Sequence, residues 1–292
     1  MVRPLRFGIS VTPYAADYPR IVEAVMAAEE VGLDLVGIQD HPYQRRFLDT
    51  YVLMADLLAR THRLRFFPDV TSLPMREPPM IAKAAVSLDV MSGGRFELGL
   101  GAGAFWDAVA GMGGTRRTNA AAFDALEEAM TLIRAALDTE RVVRGDGPHY
   151  PVPGYPAGPP PVHRVGIWLG VYRRRGLELV GRRADGWVPS LGRTTVGALA
   201  AASRRIDEAA RAAGRHPDEI TRVLNLGGAI TDGARGDDML TGPPDHWAGE
   251  LERLATEADI DSFVFWAPEN GVDQVRRFAE EVVPSLRSRL GR

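Results

Sequence analysis

The chain has no cysteine in its 292 residues, which excludes disulfides, thiolate-bound metals and a cysteine nucleophile. It is almost free of lysine too, since of 35 basic residues only Lys83 is not arginine. Neither sign of charge dominates. The formal net charge is -3 and arginine is spread along the chain, so the basic face of a nucleic-acid-binding protein and the polybasic patch of a membrane-surface protein are both missing. Long apolar runs are missing as well. No stretch approaches the roughly 20 residues that cross a bilayer. Met1 to Ser10 passes straight into a strand-like run without the charged and apolar regions of a secretory leader, so a cytoplasmic enzyme is expected. Metal-ligand spacing is absent: His41, His62, His149, His163, His216 and His246 form no HxH or HExxH pair, and no metal is expected.

What is present is a repeated alternation. Strand-like apolar runs at Phe7-Val11, Leu35-Ile38, Leu64-Val70, Phe96-Leu100, Val165-Leu169, Trp187-Val188, Arg222-Leu226 and Ser262-Phe265 are separated by helix-period segments near 17–31, 50–60, 79–91, 120–137, 173–183, 194–213, 245–258 and 272–289. Such βα units predict an α/β chain, a single-domain (β/α)8 TIM barrel over 1–292 with insertion loops at the C-terminal face. A hydrophobic content of 45% supplies the core that a barrel of this size needs. The segment 138–164, rich in proline and glycine and holding Tyr150 and Tyr155, breaks the rhythm; it reads as a long insertion, either a lid or cover over the barrel mouth or a solvated linker. The glycine-rich loop from Gly227 to Pro244 carries Asp232, Asp237 and Asp238 and reads as mobile or ordered by ligand.

The stretch from Pro74 to Gly103 reads as helix, tight turn, strand and glycine loop, with Ser92-Gly93-Gly94 as the helix stop. Gly99, Gly101 and Gly103 fall at a strand's carboxyl end, where glycine lets backbone approach a ligand or simply permits a turn. The order L-P-x-R-x-P, A-K, L-D-x-x-S-x-G-R and L-G-x-G-x-G stands here as Leu73-Pro74, Arg76, Pro78, Ala82-Lys83, Leu88-Asp89, Ser92, Gly94-Arg95, Leu98-Gly99 and Gly101 to Gly103. Together with Gly32 to His41 and Ile167 to Ser190, it resembles the luciferase-like monooxygenase superfamily, (β/α)8 oxidoreductases that use reduced FMN or the deazaflavin coenzyme F420. The resemblance implies one of these cofactors, a homodimer, and a separate flavin or F420 reductase as a possible partner.

Candidate chemistry gathers at the expected strand ends. Asp40-His41 follows the second strand, where His41 can exchange protons near neutral pH and Asp40 can orient or charge it; the alternative is a structural histidine. Asp69, Val70 and Thr71 end the third strand, and the resemblance implies a non-proline cis bond at Asp69-Val70 backing the cofactor ring, with Asp69 standing where relatives often have glycine. Gly101, Ala102 and Gly103 are expected beside the cofactor. Gly170, Val171, Tyr172, Arg173 and Arg174 leave the fifth strand and open a helix, a junction whose free N–H groups suit a phosphate, although both arginines could equally be solvated. Tyr14, Phe105 and Trp106 are expected to line a largely apolar substrate pocket, against the alternative of core packing. Ala104 occupies the place of the catalytic glutamate in the deazaflavin sugar-phosphate dehydrogenases. The loop 111–118, with Arg116 and Arg117, reads as able to close over a substrate. The reading that follows is oxygenation of, or hydride transfer to, a small organic substrate. A metal-assisted barrel hydrolase and a noncatalytic flavin-binding or subunit protein are the alternatives.

Overall fold

The computed structural model describes residues 3–139, 142–233, 235, 236 and 239–291. Its nine central strands are β1 (Arg6–Val11), β2 (Leu35–Ile38), β3 (Arg65–Pro68), β4 (Thr71–Ser72), β5 (Leu98–Gly101), β6 (Ile167–Leu169), β7 (Gly186–Trp187), β8 (Thr221–Gly227) and β9 (Ser262–Trp266). All neighbours pair in parallel in the order β3-β2-β1-β9-β8-β7-β6-β5-β4. β3 and β4 are one barrel strand interrupted at Asp69-Val70. A bridge from Phe66 to Phe96 brings β3 back to the entry of β5, giving the eight positions of a (β/α)8 barrel. The third strand therefore ends two residues earlier than its apolar run suggests, and the fourth starts two later.

The outer helices are α1 (Tyr18–Glu30), α2 (Thr50–Arg60), α3 (Pro78–Ser92), α4 (Trp106–Gly111), α5 (Asn119–Leu137), α6 (Arg174–Arg183), α7 (Val196–Ala212), α8 (Pro244–Glu257), α9 (Val272–Arg277) and α10 (Val283–Leu290). Their ends follow local chemistry. Asp49 caps α2 by accepting from the Tyr51 and Val52 N–H groups at 3.0 Å each. Gly93 closes α3 in the left-handed region at φ 68°. The expected single helix over 272–289 is broken by a wide turn at Phe278–Val282, where Pro284 has no N–H to give to the turn before it.

Most of the core lies between strands and helices. A smaller cluster of Leu35, Phe67, Trp168, Val188, Val223 and Val264 fills the barrel interior, with Phe67 and Trp168 rings 5.1 Å apart. The barrel is thus plugged, and Val70 packs on top of the plug.

The opposite, N-terminal face is held by the second half of the sequence motif. Asp89 is fully buried and accepts from the Val162 N–H at 2.7 Å and pairs with His163 Nδ1 at 2.5 Å. Arg95 donates to the carbonyls of Leu58, Thr61 and Leu64, each at 2.9 Å. These residues tie loops together far from the strand carboxyl ends. The insertion 138–164 runs between the end of α5 and the start of β6. It forms a hairpin of Val143–Gly145 against Val152–Tyr155, and Glu128 of α5 accepts from the N–H groups of His149 and Tyr150 at 3.0 and 2.5 Å. Its described residues contact α3 through Lys83 and Asp89 and α5 through Glu128, and none of them lines the cavity at the strand carboxyl ends. Of the loop Gly227 to Pro244, Asp232 pairs with Arg277 at 2.6 Å, whereas Asp237 and Asp238 lie outside the described residues.

Candidate active site

The carboxyl ends of the strands enclose a cavity of about 270 Å3, walled by His41, Val70, Gly101, Phe105, Ser190 and Asn225 among others. Its back is the interruption in the third strand, where the Asp69-Val70 peptide is cis. The Asp69 N–H donates to the Ile38 carbonyl at 2.7 Å, which locks the bulge to β2. This bulge explains the glycines. A Cβ on Gly99 would sit 1.9 Å from the Pro68 carbonyl oxygen, and one on Gly101 or Gly170 would sit 2.7 or 2.9 Å from Val70 Cγ2. The close approach predicted at these glycines is therefore made by the protein's own bulge, with Gly101 and Gly170 also facing the cavity. Gly103, at φ 108°, has Pro74 and Trp106 against it.

Asp69 lies at the floor. Asn225 Nδ2 donates to it at 3.0 Å and Ser10 Oγ at 3.3 Å, and burial pushes its carboxyl up to about 6. Asn225 Oδ1 is buried and has no donor among the described residues. Sequence reasoning missed Ser10 and Asn225. The signal was an uncharged polar residue between apolar neighbours in the carboxyl half of a strand, Ser10 in FGISV and Asn225 in VLNLG.

No hydrogen bond joins Asp40 to His41 among the described residues, although the Asp40 charge acts on the imidazole. Asp40 is buried and accepts from Arg76 at 3.0 and 2.9 Å and from the Ser72 N–H at 2.9 Å, so its carboxylate fixes the turn after the bulge. Arg76 also reaches Asp49 at 2.6 Å, and these carboxylates hold its guanidinium well above the usual range against the opposing effect of burial. His41 Nδ1 instead meets Tyr43 Oη at 2.8 Å. Burial lowers the His41 pKa, Asp40 opposes this, and Arg193 adds to it. Burial likewise pushes the Tyr43 phenol up to about 12, so at neutral pH a neutral imidazole faces a neutral phenol. The His41 ring stands edge-on to Phe105 at 5.6 Å.

A second cavity of about 520 Å3 adjoins the first, sharing Ala102, Gly103, Gly170 and Tyr172 as lining, and reaches the start of α6. It collects Val171, Arg173, Arg174 and Trp106. The first turn of α6 has no side-chain cap. Arg174 is paired with Glu178 at 2.7 Å and Arg175 with Asp124 at 2.9 Å, whereas Arg173 makes no ion pair among the described residues. Trp106 thus sits beside the anion-type seat and not against His41. Tyr14 is set apart, with its ring edge-on to Phe47 at 4.9 Å and in a separate surface hollow with Trp266. Of the three expected substrate residues only Phe105 lines the central cavity. In the loop 111–118, Arg116 pairs with Asp107 and Arg117 donates to Tyr150 Oη at 3.1 Å, so both are held on the outer surface. Tyr43, Ser190 and Arg193 complete the cavity wall and were not anticipated. Among the described residues no group of three His, Asp or Glu side chains could hold a metal ion, and no helix is long and apolar enough to cross a membrane.

A parallel barrel with a cavity at its strand carboxyl ends, backed by a bulge and bordered by the start of α6, is the architecture of a (β/α)8 enzyme. The profile of the luciferase-like monooxygenase family matches residues 2–235, and the chain belongs to that family of oxidoreductases. It is 28% identical to an F420-dependent glucose-6-phosphate dehydrogenase of Kribbella flavida, over 89% of this chain and 84% of that protein. In fold it is similar to an F420-dependent secondary alcohol dehydrogenase in complex with an F420-acetone adduct, with a TM-score of 0.85, 19% identity and coverage of 97% and 99% of the two chains. It is also similar to the oxygenating constituent of 3,6-diketocamphane monooxygenase from Pseudomonas putida in complex with FMN, with a TM-score of 0.81, 19% identity and coverage of 96% and 98%.

Proposed function

We propose that the protein is a cytoplasmic oxidoreductase that holds FMN or coenzyme F420 in the joined cleft and oxygenates, or exchanges hydride with, a small organic substrate beside His41. The observation that carries this is the adjacency of the two cavities, which share Ala102, Gly103, Gly170 and Tyr172 as lining, one above Val70 and the other at the uncapped α6 start, where Arg173 makes no ion pair among the described residues. The residues fit such a group. Val70 and the glycines around it offer a flat back wall, Ala102, Gly103 and Gly170 a narrow passage, and the α6 N–H groups with Arg173 a seat for phosphate. When bound, reduced FMN would supply oxygen activation and F420 hydride transfer.

The chain's own contribution is position and protons. His41, kept neutral by burial and by Arg193, uses Nδ1 in its hydrogen bond with Tyr43, which leaves Nε2 as the nitrogen able to donate or accept one proton without starting as an imidazolium. Asp40 acts through structure, by anchoring Arg76 and Ser72. Phe105, Tyr43 and Trp266 limit water. By the same family resemblance the protein is proposed as a homodimer fed by a separate reductase, which sedimentation and reductase-coupled assays test. The deciding experiment is fluorescence titration with FMN and with F420, oxidised and reduced. Micromolar binding of one assigns the cofactor and the reaction class, and binding of neither sinks the proposal.

A further inference from the structure

His41 and Tyr43 both line the central cavity, and the hydrogen of their mutual bond, Nδ1 to Oη at 2.8 Å, belongs to one ring or the other. The surroundings decide which. The half-buried Tyr43 hydroxyl has no other hydrogen-bond partner among the described residues, and neither has the His41 ring. Asp40, the neighbouring carboxylate, has both oxygens occupied by Arg76 and one also by the Ser72 N–H, so it takes no hydrogen from the imidazole. Phe105 and Phe47 flank the ring at centroid distances of 5.6 and 6.4 Å and offer it no polar atom. Burial and the Arg193 cation, from the turn after β7, keep the imidazole neutral against the opposing charge of Asp40. A neutral imidazole has one hydrogen for two nitrogens. A phenol is a stronger acid than a neutral imidazole N–H, and an imidazole nitrogen is a stronger base than a phenol oxygen, so the shared hydrogen belongs to Tyr43. The reverse arrangement leaves the phenol hydrogen without an acceptor among the described residues.

We propose that Tyr43 is a positioning residue that donates its hydroxyl hydrogen to Nδ1 and so keeps the ring hydrogen of His41 on Nε2. His41 is then a hydrogen-bond donor to a substrate oxygen on which negative charge develops. A carboxylate in the place of Tyr43 would draw the ring hydrogen to Nδ1 and free Nε2 as a base; a phenol does the opposite. A nitrogen that already carries hydrogen does not take one from a substrate hydroxyl. The substrate class is therefore a carbonyl compound, whose oxygen gains charge as its carbon accepts a hydride or a nucleophilic oxygen, and not an alcohol awaiting deprotonation. Hydride transfer and oxygenation both act on such a carbonyl, so the class holds for either cofactor. The substrate class rests on the cofactor reading above, whereas the place of the hydrogen is a property of the ligand-free chain.

The test is long-range proton–nitrogen correlation NMR of the ligand-free full chain, labelled at histidine, at pH 7.5, on wild type and Tyr43→Phe. His41→Gln assigns the signal among the six histidines. Wild type is expected to carry hydrogen on Nε2 and to show a bare Nδ1. In Tyr43→Phe the ratio of the Nε2–H to the Nδ1–H form should fall about fivefold, the loss of one ordinary hydrogen bond. Titration of wild type with acetate, a small oxygen anion, should shift the His41 Nε2 resonance and leave Nδ1 nearly in place. Hydrogen on Nδ1 in wild type, an unchanged ratio in Tyr43→Phe, or an Nε2 resonance indifferent to acetate each overturns the inference. Fluorescence titration of the same samples with FMN and with F420 keeps the two readings apart. Binding of either with hydrogen on Nδ1 overturns the inference alone; binding of neither overturns the cofactor reading and, with it, the assigned substrate class. Should Tyr43→Phe fold poorly, the wild-type spectrum and its response to acetate still decide, because neither needs the variant.

Discussion

Replacing Asp69 with asparagine should stabilise the free protein at neutral pH and lose that advantage in acid. Asparagine preserves the local shape: its oxygen can accept from Asn225 and its amide can donate to Ser10, and no cation loses a partner. The magnitude follows from the rise of the Asp69 pKa from 3.8 to about 6. An acid raised in the folded state favours folding at low pH; the penalty enters as the pH climbs past 3.8 and is complete above about 6. At 1.36 kcal/mol per pH unit the full penalty is about 3 kcal/mol, an upper bound because water in the cavity screens the charge. With roughly 2.1 cal/mol/K of unfolding entropy per residue, that corresponds to a rise of about 5 °C in Tm. Urea unfolding of both proteins from pH 4 to pH 8 is the assay. The gap between them should widen from under about 1 kcal/mol at pH 4 to about 3 kcal/mol above pH 7. A gap independent of pH, or a variant less stable than wild type at pH 8, refutes the reasoning.

Arg76→Ala leaves the buried Asp40 carboxylate without its cation and should lower stability by about 3–5 kcal/mol in urea unfolding; a loss below about 1 kcal/mol would mean that the pair is dispensable. Gly99→Ala pushes a methyl into the Pro68 backbone and Gly101→Ala only into the Val70 side chain, so the first should be the more damaging to stability, and the second should cost about 1–3 kcal/mol; the reverse order in thermal melts would contradict the packing of the bulge. Arg173→Ala should weaken FMN or F420 binding in a salt-dependent way, whereas Arg174→Ala, whose guanidinium is already paired with Glu178, should leave the Kd within about twofold. His41→Ala should fold normally and lower turnover at least about tenfold with the true substrate; unchanged turnover would remove the imidazole from the chemistry.

The barrel was legible because each βα unit writes its own signature: an apolar run of period two or none, then a helix of period 3.6, closed by glycine or proline. The site was legible only where neighbours in space are also neighbours in sequence. Asp69-Val70, Gly101 to Gly103 and Gly170 to Arg173 are such places, and the structure brings them to one cleft. At Asp40-His41 adjacency carried the charge and not the hydrogen bond: Asp40 raises the His41 pKa, while its hydrogen-bond partner Arg76 lies 36 residues away. The two arginines at the α6 start were separable in principle. Arg174 and Glu178 stand at i and i+4 on one helix face, a spacing that neutralises the arginine, whereas Arg173 makes no ion pair among the described residues. The floor of the cavity was not separable by any local pattern. Asn225 and Asp69 are 156 residues apart, and their meeting depends on closure of the sheet between β8 and the interrupted third strand. What the sequence did carry was an anomaly of composition, an uncharged polar residue between apolar neighbours in the carboxyl half of a strand. Burying such a group without a partner costs about 1–3 kcal/mol, so its presence at Ser10 and Asn225 already implied a second polar group inside the barrel. Asp69, one residue past the apolar run Phe66-Phe67-Pro68, was the carboxyl available to provide it.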